Sequence, residues 1–120
     1  MTDKPGANAQ GGAAMIRRTL PPRRAAETFV LRLWNQVFKV TVGFYADGTP
    51  GEVFIDGCKT GNDIQSIARD AGVLLSLALQ HGVPPQIIRH AVTRGASEEP
   101  ASILGAVVDS ITTKSFSGGL

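Results

Sequence analysis

The sequence holds one cysteine, Cys58, in 120 residues. That excludes an internal disulfide framework, a zinc or iron–sulfur site built from several cysteines of one chain, and any redox cycle that needs a cysteine pair. There are two histidines, His81 and His90, and they are not spaced as a ligand pair, so no metal or other cofactor is expected on this chain. Long apolar runs are missing as well: none approaches the ~20 residues that a membrane helix needs. The first fifteen residues carry Asp3, Lys4 and several glycines and have no apolar signal core. The phosphate-binding pattern GxxxxGK followed by Ser or Thr is absent, and no internal repeat is visible. What these absences leave is a soluble protein of a reducing compartment, read as cytoplasmic, with no membrane partner.

The material for a core is there. Apolar residues make up 42% of the chain and charged ones 18%, and the length fits one domain. The charge is unevenly placed. Residues 1–24 hold Lys4, Arg17, Arg18, Arg23 and Arg24 against Asp3, a net of +4; the remainder carries seven basic and nine acidic residues, a net of −2. Residues 5–14 are rich in Gly and Ala and have no apolar face to bury. The expected organisation is a flexible basic arm over 1–19, a folded domain over 20–112 and a frayed tail over 113–120. The four arginines bracket Leu20-Pro21-Pro22. They suit either an acidic or phosphate-bearing partner or packing along the first strand; with no aromatic residue among them, nucleic acid is the weaker reading.

From Thr28 the pattern alternates, with Phe29, Leu31 and Leu33 on one face and Val30, Arg32 and Trp34 on the other. This predicts a half-buried strand. Asn35-Gln36 is read as a short turn. Val37–Tyr45 alternates again, with Phe38, Val40, Val42 and Phe44 facing one way and Lys39 and Thr41 the other; Asp47-Gly48 suits a hairpin turn, and 51–56 is a third strand that buries Val53 and Ile55. Three such strands need a cover. A helix capped by Asn62 or Asp63 and running to about His81 offers the stripe Ile64, Ile67, Ala68, Ala71, Leu74, Leu75, Ala78 and Leu79, and Gly82 stands at its stop. Pro84 and Pro85 open a second helix with Ile87, Ile88, Ala91 and Val92 buried and Gly95 at its end. After a loop over 96–100, a third helix over 101–112 buries Ile103, Leu104, Val107, Val108 and Ile111. The fold class is α+β: a three-stranded antiparallel sheet packed against two to three helices.

Few residues could carry chemistry. Gly57-Cys58-Lys59-Thr60-Gly61 joins the last strand to the long helix; exposed N–H groups and the helix dipole there favour an anion, and Arg23, Arg24 and Arg69 are the basic residues placed with it. The competing reading of that stretch is a tight turn that needs glycine. Cys58 lies in the same turn, where Lys59 and the helix start would lower its pKa. A thiolate nucleophile wants a histidine base, and His81 falls at the far end of the helix, about 27 Å away at 1.5 Å per residue. Arg69 and Asp70 suit surface ion pairs, Arg94 suits the end of the second helix, Arg89 and Arg94 alternatively a basic pocket, and Glu98-Glu99 a solvated loop.

The stretches LPPRRAAETF (20–29), YADGTPGEVFID (45–56), GCKTG (57–61), ARDAGVLLSLALQHGVP (68–84) and ILGAVVDSI (103–111) together resemble the TSCPD-type domain. That domain stands at the C-terminal end of vitamin B12-dependent (class II) ribonucleotide reductases and as short stand-alone versions in bacteria and their phages. The resemblance covers about three quarters of the chain. It departs at the cysteine-bearing motif that names the domain, in whose place stands Glu98-Glu99-Pro100-Ala101-Ser102. The resemblance implies a link to ribonucleotide reduction, a reaction that uses a thiyl radical, a cysteine pair and adenosylcobalamin. A chain with one cysteine cannot run it, and no catalytic residue of the reductase finds a counterpart here. The expected role is a non-catalytic module of deoxyribonucleotide supply that binds a nucleotide or a reductase, adenosylcobalamin belonging only to the reductase. Two other classes stay open: an oligomeric, nucleotide-sequestering protein of the phage anti-defence type, whose partner is a second copy of the chain, and a small enzyme using Cys58.

Overall fold

The computed structural model describes residues 16–57 and 63–113. The element order is β1 (Ala26–Leu33), β2 (Gln36–Phe44), β3 (Pro50–Gly57), α1 (Asp63–Gln80), α2 (Pro85–Ala91) and α3 (Ile103–Thr113). The strands form one antiparallel sheet in the order β1-β2-β3. This is the expected α+β class.

The alternation read in the sequence sets the two sheet faces. Phe38, Val40, Val42 and Phe44 of β2 and Val53 and Ile55 of β3 are buried on one face, with Phe29, Leu31 and Leu33 of β1 packed beside them. Two helices close that face. From α1 come Ala68, Leu75 and Leu79; from α3 come Ile103, Val107, Val108 and Ile111. Burying side chains of this kind contributes roughly 1.5–3 kcal/mol each. The opposite face carries Lys39, Thr41, Phe54 and Asp56, all exposed or half-buried.

Helix α1 lies along the free edge of β3. The Ser76 hydroxyl accepts from Val53 N–H at 2.8 Å and lies 3.1 Å from Val53 C=O and 2.8 Å from Gly72 C=O. Both Val53 groups turn away from β2, so one side chain serves backbone that a further strand would otherwise pair. Gly72 makes this approach possible: a Cβ there would stand 3.0 Å from Val53 C=O and 3.4 Å from Ile55 N.

The segment 16–24, whose first four residues belong to the expected arm, runs against the body. Arg18 N–H donates to Gln80 C=O at 2.7 Å, and Tyr45 O–H donates to Arg18 C=O at 2.8 Å. The Arg18 guanidinium sits 3.7 Å over the Tyr45 ring and reaches Asp47 at 3.2 Å. Arg17 Nε donates to Gln80 Oε1 at 2.5 Å, while Gln80 Nε2 donates to Gly51 C=O at 2.8 Å. Gln80 is 5% exposed and joins this segment to both α1 and β3.

Several boundaries differ from expectation. The first turn is Trp34-Asn35, not Asn35-Gln36: both residues have positive φ, 54° and 59°, and Gln36 pairs with Leu33. Only this register sets Leu31 opposite Phe38 and Phe29 opposite Val40, with the apolar sets of both strands on one side. Trp34 therefore leaves the strand and is 58% exposed. In α1, Ile67 and Leu74 do not join the core; they are 61% and 65% exposed, because the helix faces the sheet through Ala68, Gly72 and Leu75. Helix α2 stops at Ala91, with Val92 extended, short of Gly95. Its Ile87 and Ala91 are exposed, and Ile88 is its partly buried contact with the core. Residues 94–100 are not an open loop: Arg94 bridges Pro100, and Gly95 N–H donates to Glu99 C=O at 2.8 Å. Helix α3 begins at Ile103, two residues late, because Ser102 Oγ accepts from Gly105 N–H at 3.0 Å. Asp47-Gly48 and Gly82 hold the expected turns, the two glycines at φ 88° and 91°.

Replacing Ser76 by Ala leaves two buried groups of Val53 without that partner. The expected loss of unfolding free energy is about 1–3 kcal/mol, measured by urea denaturation. Gly72→Val pushes α1 off β3 and is expected to cost about as much.

Candidate functional site

The outer sheet face and α1 enclose a groove of about 560 Å³, within the size range of small-ligand sites. Its floor is Thr41 and Phe54 from β2 and β3, and its wall is Val73 and Leu77 from α1. Lys39, Asp56 and Arg69 line it, and so do Arg17, Glu52 and Gln80. Lys39 and Asp56 are opposite each other in the β2–β3 register, as are Thr41 and Phe54. The alternation that buries Val53 and Ile55 turns Phe54 outward, leaving the residue 54% exposed.

Glu52 is neutralised from outside the groove. Its carboxylate accepts from Arg24 Nε at 2.5 Å, while Arg24 Nη1 donates to Pro21 C=O at 2.6 Å. Gly43, opposite Glu52, leaves the room: a side chain there would overlap the Glu52 carboxylate. The hydrogen bond with Glu52 raises the Arg24 pKa above its ordinary value. With that pair formed, Arg17, Lys39 and Arg69 outnumber Asp56 and the groove is cationic.

Of the residues singled out from sequence, Gly57, Arg23, Arg24 and Arg69 lie among the described ones. Arg69 is exposed and lines the groove. Arg24 is held by Glu52, and Arg23 is exposed on the segment leading into β1. Gly57 ends β3, where a Cβ would meet only ordinary contacts with Gln65. Cys58, Lys59, Thr60 and Gly61 lie outside the described residues. The sequence reading missed Lys39, Phe54, Val73 and Leu77. The signal was Phe54, an aromatic residue on the face opposite the buried valine and isoleucine.

A second cluster binds α2 to α3. Arg94 grips Asp109 through two bonds, Nη1 to Oδ2 at 2.8 Å and Nη2 to Oδ1 at 2.5 Å, and Arg89 Nε adds a third at 3.2 Å. Arg94 also donates to the carbonyls of Arg89 and Glu98. Arg89 and Arg94 thus anchor the chain around an acid rather than forming an open basic pocket. The Arg94 hydrogen bonds hold the Asp109 carboxyl below its ordinary pKa, with Arg89 acting the same way. Asp47 is held lower, at about 2, first by the Thr49 hydroxyl, then by the Thr49 N–H, with Arg18 adding to both. Among the described residues no three His, Cys, Asp or Glu side chains come together as a metal would require. Among them, too, no helix is long and apolar enough to cross a membrane.

The profile of the TSCPD domain matches residues 6–111. The chain belongs to the TSCPD domain family. Its relatives include the vitamin B12-dependent ribonucleotide reductase of Rhodopirellula baltica, 39% identical over 72 residues, which are 60% of this chain and 7% of that protein. The reductases of the same name from Bradyrhizobium diazoefficiens and Agrobacterium fabrum are 35% and 34% identical over 68 residues, 57% of this chain and 5% of each. The chain thus spans a small fraction of the length of the curated relatives that it matches. No solved structure matches it. As a TSCPD domain this chain shares sequence with a segment of those reductases and not with their whole length.

The folded pKa of Asp109 lies below its unfolded value, so the anchor stabilises fully above the unfolded carboxylate pKa of ~3.9 and fades as pH falls through the lower folded value. Asp109→Asn is expected to lower stability at neutral pH by about 1–3 kcal/mol and to flatten the acid limb of a stability–pH curve measured by thermal melts.

Proposed function

We propose that this TSCPD domain is a non-catalytic module associated with ribonucleotide reduction, and that it binds a nucleotide in the groove between β3 and α1. The observation that carries this reading is the exposed Phe54 ring flanked by Lys39 and Arg69 in a cleft of about 560 Å³. A base can stack on an aromatic face, a contribution of about 1–3 kcal/mol in single-strand binding. Lysine and arginine then take the phosphates, and Thr41 supplies a hydroxyl for the sugar. The relatives support the metabolic setting, since all three are named as ribonucleotide reductases.

Binding without turnover fits the lining. Glu52 is tied to Arg24, neither histidine lines the groove, and Asp56 stands opposite Lys39 in the strand register. The residues do not fit adenosylcobalamin either: the floor is Thr41 and Phe54, the wall is Val73 and Leu77, and no imidazole lines the groove. On this reading the cofactor and the radical chemistry belong to a separate reductase, and this module serves it by holding a nucleotide.

Calorimetry with ribo- and deoxyribonucleoside di- and triphosphates tests the proposal. Saturable binding is expected, weakened about tenfold or more by Lys39→Glu and by Phe54→Ala, both at exposed positions. Absence of heat with every nucleotide, or binding indifferent to both substitutions, refutes it. Gel filtration with a purified B12-dependent reductase tests the association separately.

A further inference from the structure

Helix α1 walls the groove on one side only. Away from it the outer sheet face stays open, since the core helices pack on the opposite face: Val30 is 63% exposed, and Arg32 and Lys39 are exposed with it. The strand register lays residues of this face in one line. Arg32 on β1 stands opposite Val37, two residues before Lys39 on β2; Thr41, two residues after Lys39, stands opposite Phe54 on β3. Arg32, Lys39 and Phe54 thus form a diagonal with steps of about 8 Å, one strand spacing across and two residues along. Arg69 on α1 continues the order past Phe54, as both line the groove. The cations of this line are free. Arg18, Arg24, Arg89 and Arg94 are each held by a carboxylate, whereas among the described residues no ion pair or hydrogen bond engages the side chains of Arg32, Lys39 and Arg69.

We propose that this line binds single-stranded RNA, with one base on Phe54 and the backbone running from Arg69 over Lys39 to Arg32. The inference rests on the groove as a nucleotide site and extends it. A free nucleotide carries its phosphates at one end of the nucleoside. A nucleotide inside a strand has a phosphate on each side, and here a cation stands on each side of Phe54: Arg69 towards the helix, Lys39 towards the sheet. Arg32, one step further along the diagonal, suits the phosphate after that. A cationic track beside an aromatic platform is the usual means of holding a single strand. Asp56, opposite Lys39 on β3, repels a backbone that would follow β3 and so favours the diagonal, while Glu52 is taken up by Arg24. The choice of RNA comes from Thr28 and Thr41, whose hydroxyls lie 3.1 Å apart in the same cross-strand row as Phe54. One of their two protons joins the pair, the other is left to donate, and an oxygen is left to accept; a ribose 2′-OH does both in return. No aromatic residue stands among the arginines of residues 1–24, but the fold sets one among the cations of the sheet face.

Fluorescence anisotropy of the full chain with labelled oligouridylates, beside calorimetry with uridine monophosphate, tests the proposal. Affinity is expected to rise about tenfold or more from the mononucleotide to a strand of about four nucleotides. Three phosphate contacts predict a slope of about −2 in log affinity against log salt. Arg32→Glu, at an exposed position outside the groove, is expected to weaken the four-nucleotide strand about tenfold or more and to leave the mononucleotide unchanged. The matching oligodeoxyuridylate is expected to bind about threefold or more weaker, and Thr28→Val, also exposed, to remove that difference. A mononucleotide that binds as tightly as the strand overturns this inference and leaves the groove reading standing; silence from both overturns the two together. Strand binding indifferent to Arg32→Glu, or DNA bound as tightly as RNA, also overturns it.

Discussion

The architecture depends on one hydroxyl. A three-stranded sheet has two edges and little area, and a bare edge of backbone N–H and C=O groups invites pairing with other chains. Ser76 accepts from the Val53 N–H and shares its one proton between the Val53 and Gly72 carbonyls. Those bonds to the strand can form only because Gly72, one turn earlier, lets the helix backbone approach it. With α1 fixed against the edge, its one side delivers Ala68, Leu75 and Leu79 to the core and its other side raises Val73 and Leu77 beside the outer sheet face. Core and groove are two results of a single helix placement.

The same economy runs through the segment before β1. Gln80 ends α1, holds Gly51 of β3 through its amide nitrogen, and receives Arg17 through its oxygen. Arg24 and Glu52 make a second tie nearby, in the space left by Gly43. The arginines are thus distributed between structure and site: Arg18 on Tyr45 and Asp47, Arg24 on Glu52, Arg17 at the groove, Arg23 exposed.

Much of the fold was legible in the sequence because period-two alternation and glycine stops are local signals. Phe38 to Phe44 stated the core face of β2, and Gly82 stated the end of α1. What was not legible required knowing how elements meet. Apolar periodicity along α1 merges two separate lines, one for the core and one facing solvent, and nothing local tells Leu74 from Leu75. The first turn was misplaced by one residue because tryptophan is a rare occupant of left-handed backbone, yet the cross-strand register of β1 and β2 demands it at Trp34. The site was the least legible part. Lys39 and Phe54 are far apart in the chain and come together only through strand pairing, whereas the residues of the glycine turn are contiguous in the sequence.

The two sheet edges end up unlike one another. Along β3 the backbone is met by α1, while among the described residues no strand pairs with the far side of β1. Two chains that met along their β1 strands would present only helix-sealed borders outward. Growth by strand addition would then end with its first step.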